Sequence, residues 1–112
     1  MATVSARTAV QAWELYADEK RRQALASADS RTALKNLQKA AQEATVIEEL
    51  WITLEYQASR VQAVASLKDV LVAELKRAIG EKGQGEDDLD IAAMLLGHIA
   101  RLQVAAERGR GA

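Results

Sequence analysis

The sequence predicts an all-α protein, and three observations support this fold class. The 112 residues include no proline, and all six glycines lie at position 80 or beyond. Ala, Leu, Glu, Gln, Lys and Arg dominate elsewhere, and these residues lose little conformational freedom in a helix. No alternating apolar–polar run is bounded by hairpin-turn residues, as β-strands would be. We therefore expect a small bundle of three to five helices, forming a single domain over residues 1–108 with a short basic tail at 109–112.

The first predicted helix begins near Ser5, a suitable N-cap, and ends near Ala26. Its apolar residues recur at intervals of three and four, which places them on one helix face: Ala6, Ala9, Val10, Trp13, Tyr16, Ala17 and Ala24. We expect this face to pack into the core. Residues 27–30, with two serines and an aspartate, should then form a turn or a cap.

The next segment, residues 32–79, has neither Gly nor Pro. Its apolar residues repeat every three or four positions from Leu34 to Ala65, close to the period of a coiled coil. One unbroken helix would be about 70 Å long, whereas a compact chain of this size has a radius of gyration of about 13 Å. Either the segment breaks, or a second chain covers it. Capping-box patterns at Thr45 and Ser66 could each open a new helix, and Ser66 is the expected break. We predict a long coiled-coil-like segment and a homodimer.

The last helix is predicted to begin at Asp87 or Asp88 and to end near Glu107. Gly80 should end the preceding helix, and residues 80–86 should form a loop. Acidic residues at the start of the last helix complement its dipole. Residues 91–96 are apolar on all sides, so this helix should be the most enclosed one.

Composition argues against several classes of protein. The absence of cysteine excludes disulfides and thiolate metal sites and fits a reducing compartment. A net charge of −1 gives the chain no overall attraction for nucleic acid or membranes. The N-terminus lacks a signal-peptide pattern, and no apolar run approaches the roughly 20 residues of a membrane span. We expect a soluble, cytoplasmic protein that has no membrane partner.

The titratable residues give little support for catalysis. His98, the only histidine, has no potential partner at helical spacing, so we predict a structural or solvent-facing role. Six acids, however, could form a carboxylate cluster for Mg²⁺: Glu48, Glu49, Glu55, Asp87, Asp88 and Asp90. They partly resemble the MazG-type nucleotide pyrophosphohydrolases, which hold Mg²⁺ with Glu-x-x-Glu on one helix and Glu-x-x-Asp on the next. The second motif is matched with Asp replacing Glu, but positions 43–55 contain no Glu-x-x-Glu. We predict that the chain is not an enzyme and that it has no catalytic residue, metal or cofactor.

Basic residues are concentrated in residues 20–39, where six of them accompany a single acid. Arg31, Lys35 and Lys39 are four apart and share one helix face, which could contact phosphates. The same face could instead complement the acids of residues 43–55. Because a readable helix-turn-helix pattern is missing, we rank nucleic-acid binding below protein binding.

Around the middle of the chain the apolar band becomes broader than one stripe, which favours contact with more than one neighbour. We predict that this region forms a partner or oligomer interface through eight residues: Ile47, Leu50, Trp51, Ile52, Leu54, Tyr56, Val61 and Val64. The ring of Tyr56 is expected to stack on Arg60, four residues later. The sequence thus favours a protein-interaction module (a regulator, inhibitor or adaptor) that binds another protein, itself or both. A structural subunit of a homo-oligomer is the first alternative, followed by a nucleic-acid-binding protein and a MazG-like pyrophosphohydrolase.

Overall fold

The computed structural model describes residues 4–26, 28–79 and 87–111, and this part of the chain consists of six helices without a strand. The predicted all-α class is confirmed. The helices are α1 (Val4–Ala17), α2 (Glu19–Leu25), α3 (Ala28–Glu43), α4 (Ile47–Arg60), α5 (Gln62–Ile79) and α6 (Asp88–Gly111). They outnumber the predicted three to five because the first predicted helix is divided in two and the segment 32–79 is broken at two places rather than one.

The first predicted helix is divided at Asp18. This residue has an extended backbone (φ −75°, ψ 115°), and its Oδ1 accepts a hydrogen bond of 3.0 Å from the amide of Arg21. Such a bond satisfies one of the free amides at the start of a helix, so Asp18 is the N-cap of α2.

The segment 32–79 forms parts of three helices rather than one rod. Residues 44–46 separate α3 from α4, and the extended backbone of Val61 alone separates α4 from α5. The expected break at Ser66 is wrong, since its hydroxyl donates to the carbonyl of Gln62 inside α5 (3.1 Å). The observed breaks let the helices fold back on each other, and the radius of gyration is 13.1 Å.

Helix α6 lies at the centre of the bundle and packs chiefly against α3 and α1, while α4 packs against α5 and α3. It begins at Asp88, as predicted, and Ala92, Leu95 and Leu96 are completely buried. The bundle core is mostly leucine, and its largest fully buried apolar side chains are Leu25, Leu34, Leu37, Leu50, Leu54, Leu71, Leu75, Leu95, Leu96 and Ile99.

Two features of α6 follow from this central position. Between Asp88 and Gly109 the helix is long and apolar enough to suit a membrane span by length and composition, contrary to the expectation that no segment would be. A core helix has the same properties, and 44% of the relevant window is buried inside the bundle. The helix also approaches α3 closely at Gly97, where an added Cβ would lie 2.7 Å from Nε2 of Gln38.

Some sequence predictions lie outside the described residues: the Gly80 cap, the loop at 80–86, Ser27 and the final residue of the tail.

Candidate protein-binding surfaces

The outer face of α1 exposes the apolar stripe that the sequence analysis assigned to the core. Val10 is 59% exposed and Trp13 is 60% exposed. Ala6, Ala9 and Ala17 on the same side are also exposed. The expectation that this stripe is buried is therefore wrong. The opposite face packs inward, and its buried residues are Thr8, Gln11, Ala12 and Leu15.

The aromatic end of this face is held in place by neighbouring side chains. The ring centroids of Trp13 and Tyr16 are 5.4 Å apart. The guanidinium of Arg22 lies 5.5 Å from the centroid of Tyr16, and its Nη1 donates to the Tyr16 carbonyl at 3.3 Å. Tyr16 is half-buried. An aromatic pair with a cation over one ring restricts the rotamers of the exposed surface, which reduces the entropy lost on binding.

A buried carboxylate accounts for the burial of Gln11 on the inward face of α1. Glu74 of α5 is 6% exposed, and Nε2 of Gln11 donates both to its Oε2 (2.7 Å) and to its backbone carbonyl (2.6 Å). Arg21 Nη1 lies 3.5 Å from Glu74 Oε1, and Arg77 Nη2 lies 3.9 Å from Oε2. A buried carboxylate is costly unless it has such partners, and Gln11 can supply its amide only when this face of α1 turns inward.

A second bond orients α1 in the same way. Arg77 Nη2 lies 2.9 Å from Oε2 of Glu14, joining α5 to the flank of α1. An open cleft of about 440 Å³ adjoins this contact, with Arg7, Thr8 and Ile91 also in its lining. The cluster around Glu74 was not predicted from the sequence. Helical spacing from Leu67 and Leu71 does place Glu74 on the apolar face of α5, so a carboxylate at a core position was the available signal.

The eight predicted interface residues are distributed over three environments. Ile47, Leu50, Leu54 and Val64 are buried by the chain's own helices and belong to the core. An interface through these four would require the bundle to open. Trp51 and Val61 are half-buried against the core. Only Ile52, at 68%, and Tyr56, at 53%, are exposed.

Ile52 and Tyr56 form a second, smaller apolar surface on α4. The guanidinium of Arg60 lies 5.3 Å from the centroid of Tyr56, as the spacing predicted, and its Nη1 donates to the phenol oxygen. This arrangement resembles that of Arg22 over Tyr16, but the surface is smaller than the outer face of α1, where exposed alanines adjoin Val10 and Trp13.

The start of α4 lacks a side-chain cap at Val46, its N-cap residue. Glu49 instead accepts from the hydroxyl (2.8 Å) and the amide (3.4 Å) of Thr45 through Oε1. The Thr45 hydroxyl bond, followed by the amide of the same residue, lowers the pKa of the Glu49 carboxyl below its ordinary value of 4.5. A helix thus begins close to the predicted Thr45 pattern, but its N-cap is Val46, and the carboxylate bonded to Thr45 is that of Glu49 rather than Glu48.

The acids that resemble the MazG motif do not form a metal site in the described part of the chain, where no three His, Cys, Asp or Glu side chains are gathered for one. Asp87 and Asp90 are exposed at the start of α6, and Asp88 is buried there. His98 is half-buried, with its Nδ1 3.5 Å from Nη1 of Arg101.

The basic face of α3 is partly paired with carboxylates. Arg31 lies 3.8 Å from Glu107 of α6, and Lys39 lies 4.0 Å from Glu43. Lys39 thus contacts the first acid of the 43–55 group, whereas Arg31 contacts a different helix.

Comparison with protein-family models, with characterised proteins and with solved structures gives no significant match for this chain. The candidate surfaces therefore rest on the geometry described above.

Proposed function

We propose that this chain is a helical protein-interaction module that binds a partner protein through the outer face of α1. The observation that supports the proposal is the exposure of Trp13 beside Val10 on one helix face. Tryptophan is among the residues that dominate binding energy at interfaces, and its ring buries a large area on association. A helix with apolar anchors at intervals of three and four is also a common element that docks into a partner's groove.

The alanines around Trp13 make this face suitable for a close fit. Ala6, Ala9 and Ala17 are exposed and project little from the helix. A partner can therefore approach the backbone of α1 while the indole fills a pocket in its surface. The α4 surface of Ile52 and Tyr56 is a secondary candidate, because it has two apolar anchors but no tryptophan.

Nucleic-acid binding receives less support from the geometry. Arg31 and Lys39 lie near carboxylates, so a phosphate would have to compete with Glu107 and Glu43 for them. Both contacts are long and their basic side chains are exposed, so this competition is modest. The net charge of −1 adds no long-range attraction.

A capture experiment with matched variants tests the proposal. The wild type, Trp13→Glu and Ile52→Glu are each immobilised, and proteins retained from the source cells are identified by mass spectrometry. We expect a protein that the wild type and Ile52→Glu retain and that Trp13→Glu loses. Loss on Ile52→Glu alone would move the interface to α4, and equal recovery on all three would contradict both surfaces. Circular dichroism establishes that each variant is folded.

A further inference from the structure

We infer that the outer face of α1 binds the same face of a second copy of this chain, with the two helices antiparallel about a two-fold axis. This inference rests on the proposed function, because it names the partner of the same surface. It also moves the expected homodimer contact to α1 from the eight predicted interface residues between positions 47 and 64, four of which are buried in the core.

The order of large and small residues along α1 favours this arrangement. Ala6 and Ala17 lie at the two ends of the face, with Val10 and Trp13 between them. An antiparallel pair centred between Val10 and Trp13 places Ala6 opposite Ala17 of the second copy and Val10 opposite its Trp13. Each indole then faces a smaller side chain, and the face is complementary to itself, as a two-fold interface requires. A parallel pair would place the two indoles at the same level.

Charge on the flank of the helix favours the same direction. Arg7 and Glu14 are seven residues apart, about two helical turns, and so lie on one flank of α1. In an antiparallel pair this flank meets its own copy, so Arg7 lies near Glu14 of the second chain, and the contact occurs twice. A parallel pair would instead set this flank against that of Ala9 and Tyr16, where α1 has no acid for Arg7 and where Arg22 lies over the Tyr16 ring.

Glu14 can accept this additional partner. Its Oε2 is engaged by Arg77 of the same chain at 2.9 Å, yet the side chain remains 60% exposed. The internal contact also fixes the carboxylate, so the second chain need not immobilise it on binding.

The size of the contact between the two helices determines the expected affinity of the dimer. A helix of 14 residues is about 21 Å long, and one pair of such helices buries less than the roughly 1,200–2,000 Å² of a standard interface. The dimer should therefore be weak and concentration-dependent, with a Kd of roughly 10–100 µM.

Sedimentation velocity from low micromolar to several hundred micromolar protein tests the association. The wild type and Ile52→Glu should change from monomer to dimer over this range, and Trp13→Glu and Val10→Glu should remain monomeric with unchanged circular dichroism. Dimerisation lost in Ile52→Glu but kept in Trp13→Glu would place the interface on α4 and overturn the inference. A wild type that is monomeric at every concentration would overturn it too. The proposed function would still stand if a captured partner were lost on Trp13→Glu.

Disulfide trapping tests the direction of the pair, because the natural chain has no cysteine to compete. Ala6→Cys and Ala17→Cys are prepared separately, mixed in equal amounts and oxidised. The antiparallel register predicts a mixed disulfide between the two variants and little dimer from either variant alone. Efficient homodimer disulfides from each variant alone would indicate a parallel pair and overturn the register.

Discussion

Helices α6 and α1 differ in the burial of their large apolar side chains. The large apolar residues of α6 point into the bundle, where Leu95 and Leu96 are completely buried. In α1, Val10 and Trp13 point outward while Thr8 and Gln11 are buried. The inward face of α1 combines Ala12 and Leu15, which pack in the core, with Gln11, which donates to the buried carboxylate of Glu74. Periodicity identifies a helix face, but the chemistry of the neighbouring helix decides which face is buried.

The largest loss in the free energy of unfolding is expected when a charged residue replaces a leucine of the core. Leu54→Asp places a carboxylate at a position that is 1% exposed, and a buried, unpaired charge costs several kcal/mol. Ile52→Asp, two residues earlier at 68% exposure, is the matched control and should change the free energy of unfolding by no more than about 0.5 kcal/mol. Urea denaturation measures both. Equal losses for the two variants would mean that the two sides of α4 have been assigned wrongly.

An intermediate effect is expected at the polar contact that orients α1. Gln11→Ala removes the amide that donates to Glu74, leaving a buried acceptor short of a donor at a cost of about 1–3 kcal/mol. Gln23→Ala is the control, because its 3.4 Å bond to Glu19 is exposed and should contribute little. If urea denaturation gives Gln11→Ala the stability of the wild type, Glu74 does not determine the orientation of α1.

The smallest effect on stability is expected at the exposed start of α4, which belongs to neither α6 nor α1. The pKa of Glu49 is lowered in the folded chain, so its bond to Thr45 stabilises the fold above the range in which an unfolded carboxyl titrates. This contribution is lost as the pH falls through the folded pKa. Thr45→Ala should raise the pKa of Glu49 toward 4.5, measured by NMR titration of its carboxyl carbon. Thr53→Ala removes a hydroxyl bonded only to the Glu49 backbone carbonyl, and a similar rise there would contradict the assignment.

The sequence predicted the features that depend on local propensity and missed those that depend on tertiary polar contacts. The helical class and the start of α6 at Asp88 followed from composition and acidic capping residues. The breaks at Asp18 and Val61 were missed because neither has the Gly or Pro that usually marks a helix end. The exposed face of α1 was predicted as an apolar stripe but assigned to the core. Gln11 and Glu74 are 63 positions apart, and no local pattern links them.

The two tryptophans lie in different environments, so the intrinsic fluorescence of the chain can report on each of them. Trp13 is on the outer face of α1, while Trp51 is half-buried against the core, and no other residue shares their red-edge absorption. Iodide in solution should quench Trp13 more strongly than Trp51. Association through α1 should shield Trp13 selectively, whereas unfolding changes the surroundings of both indoles. Emission from the unlabelled chain can therefore separate binding from loss of structure, with Trp13→Phe and Trp51→Phe assigning each signal.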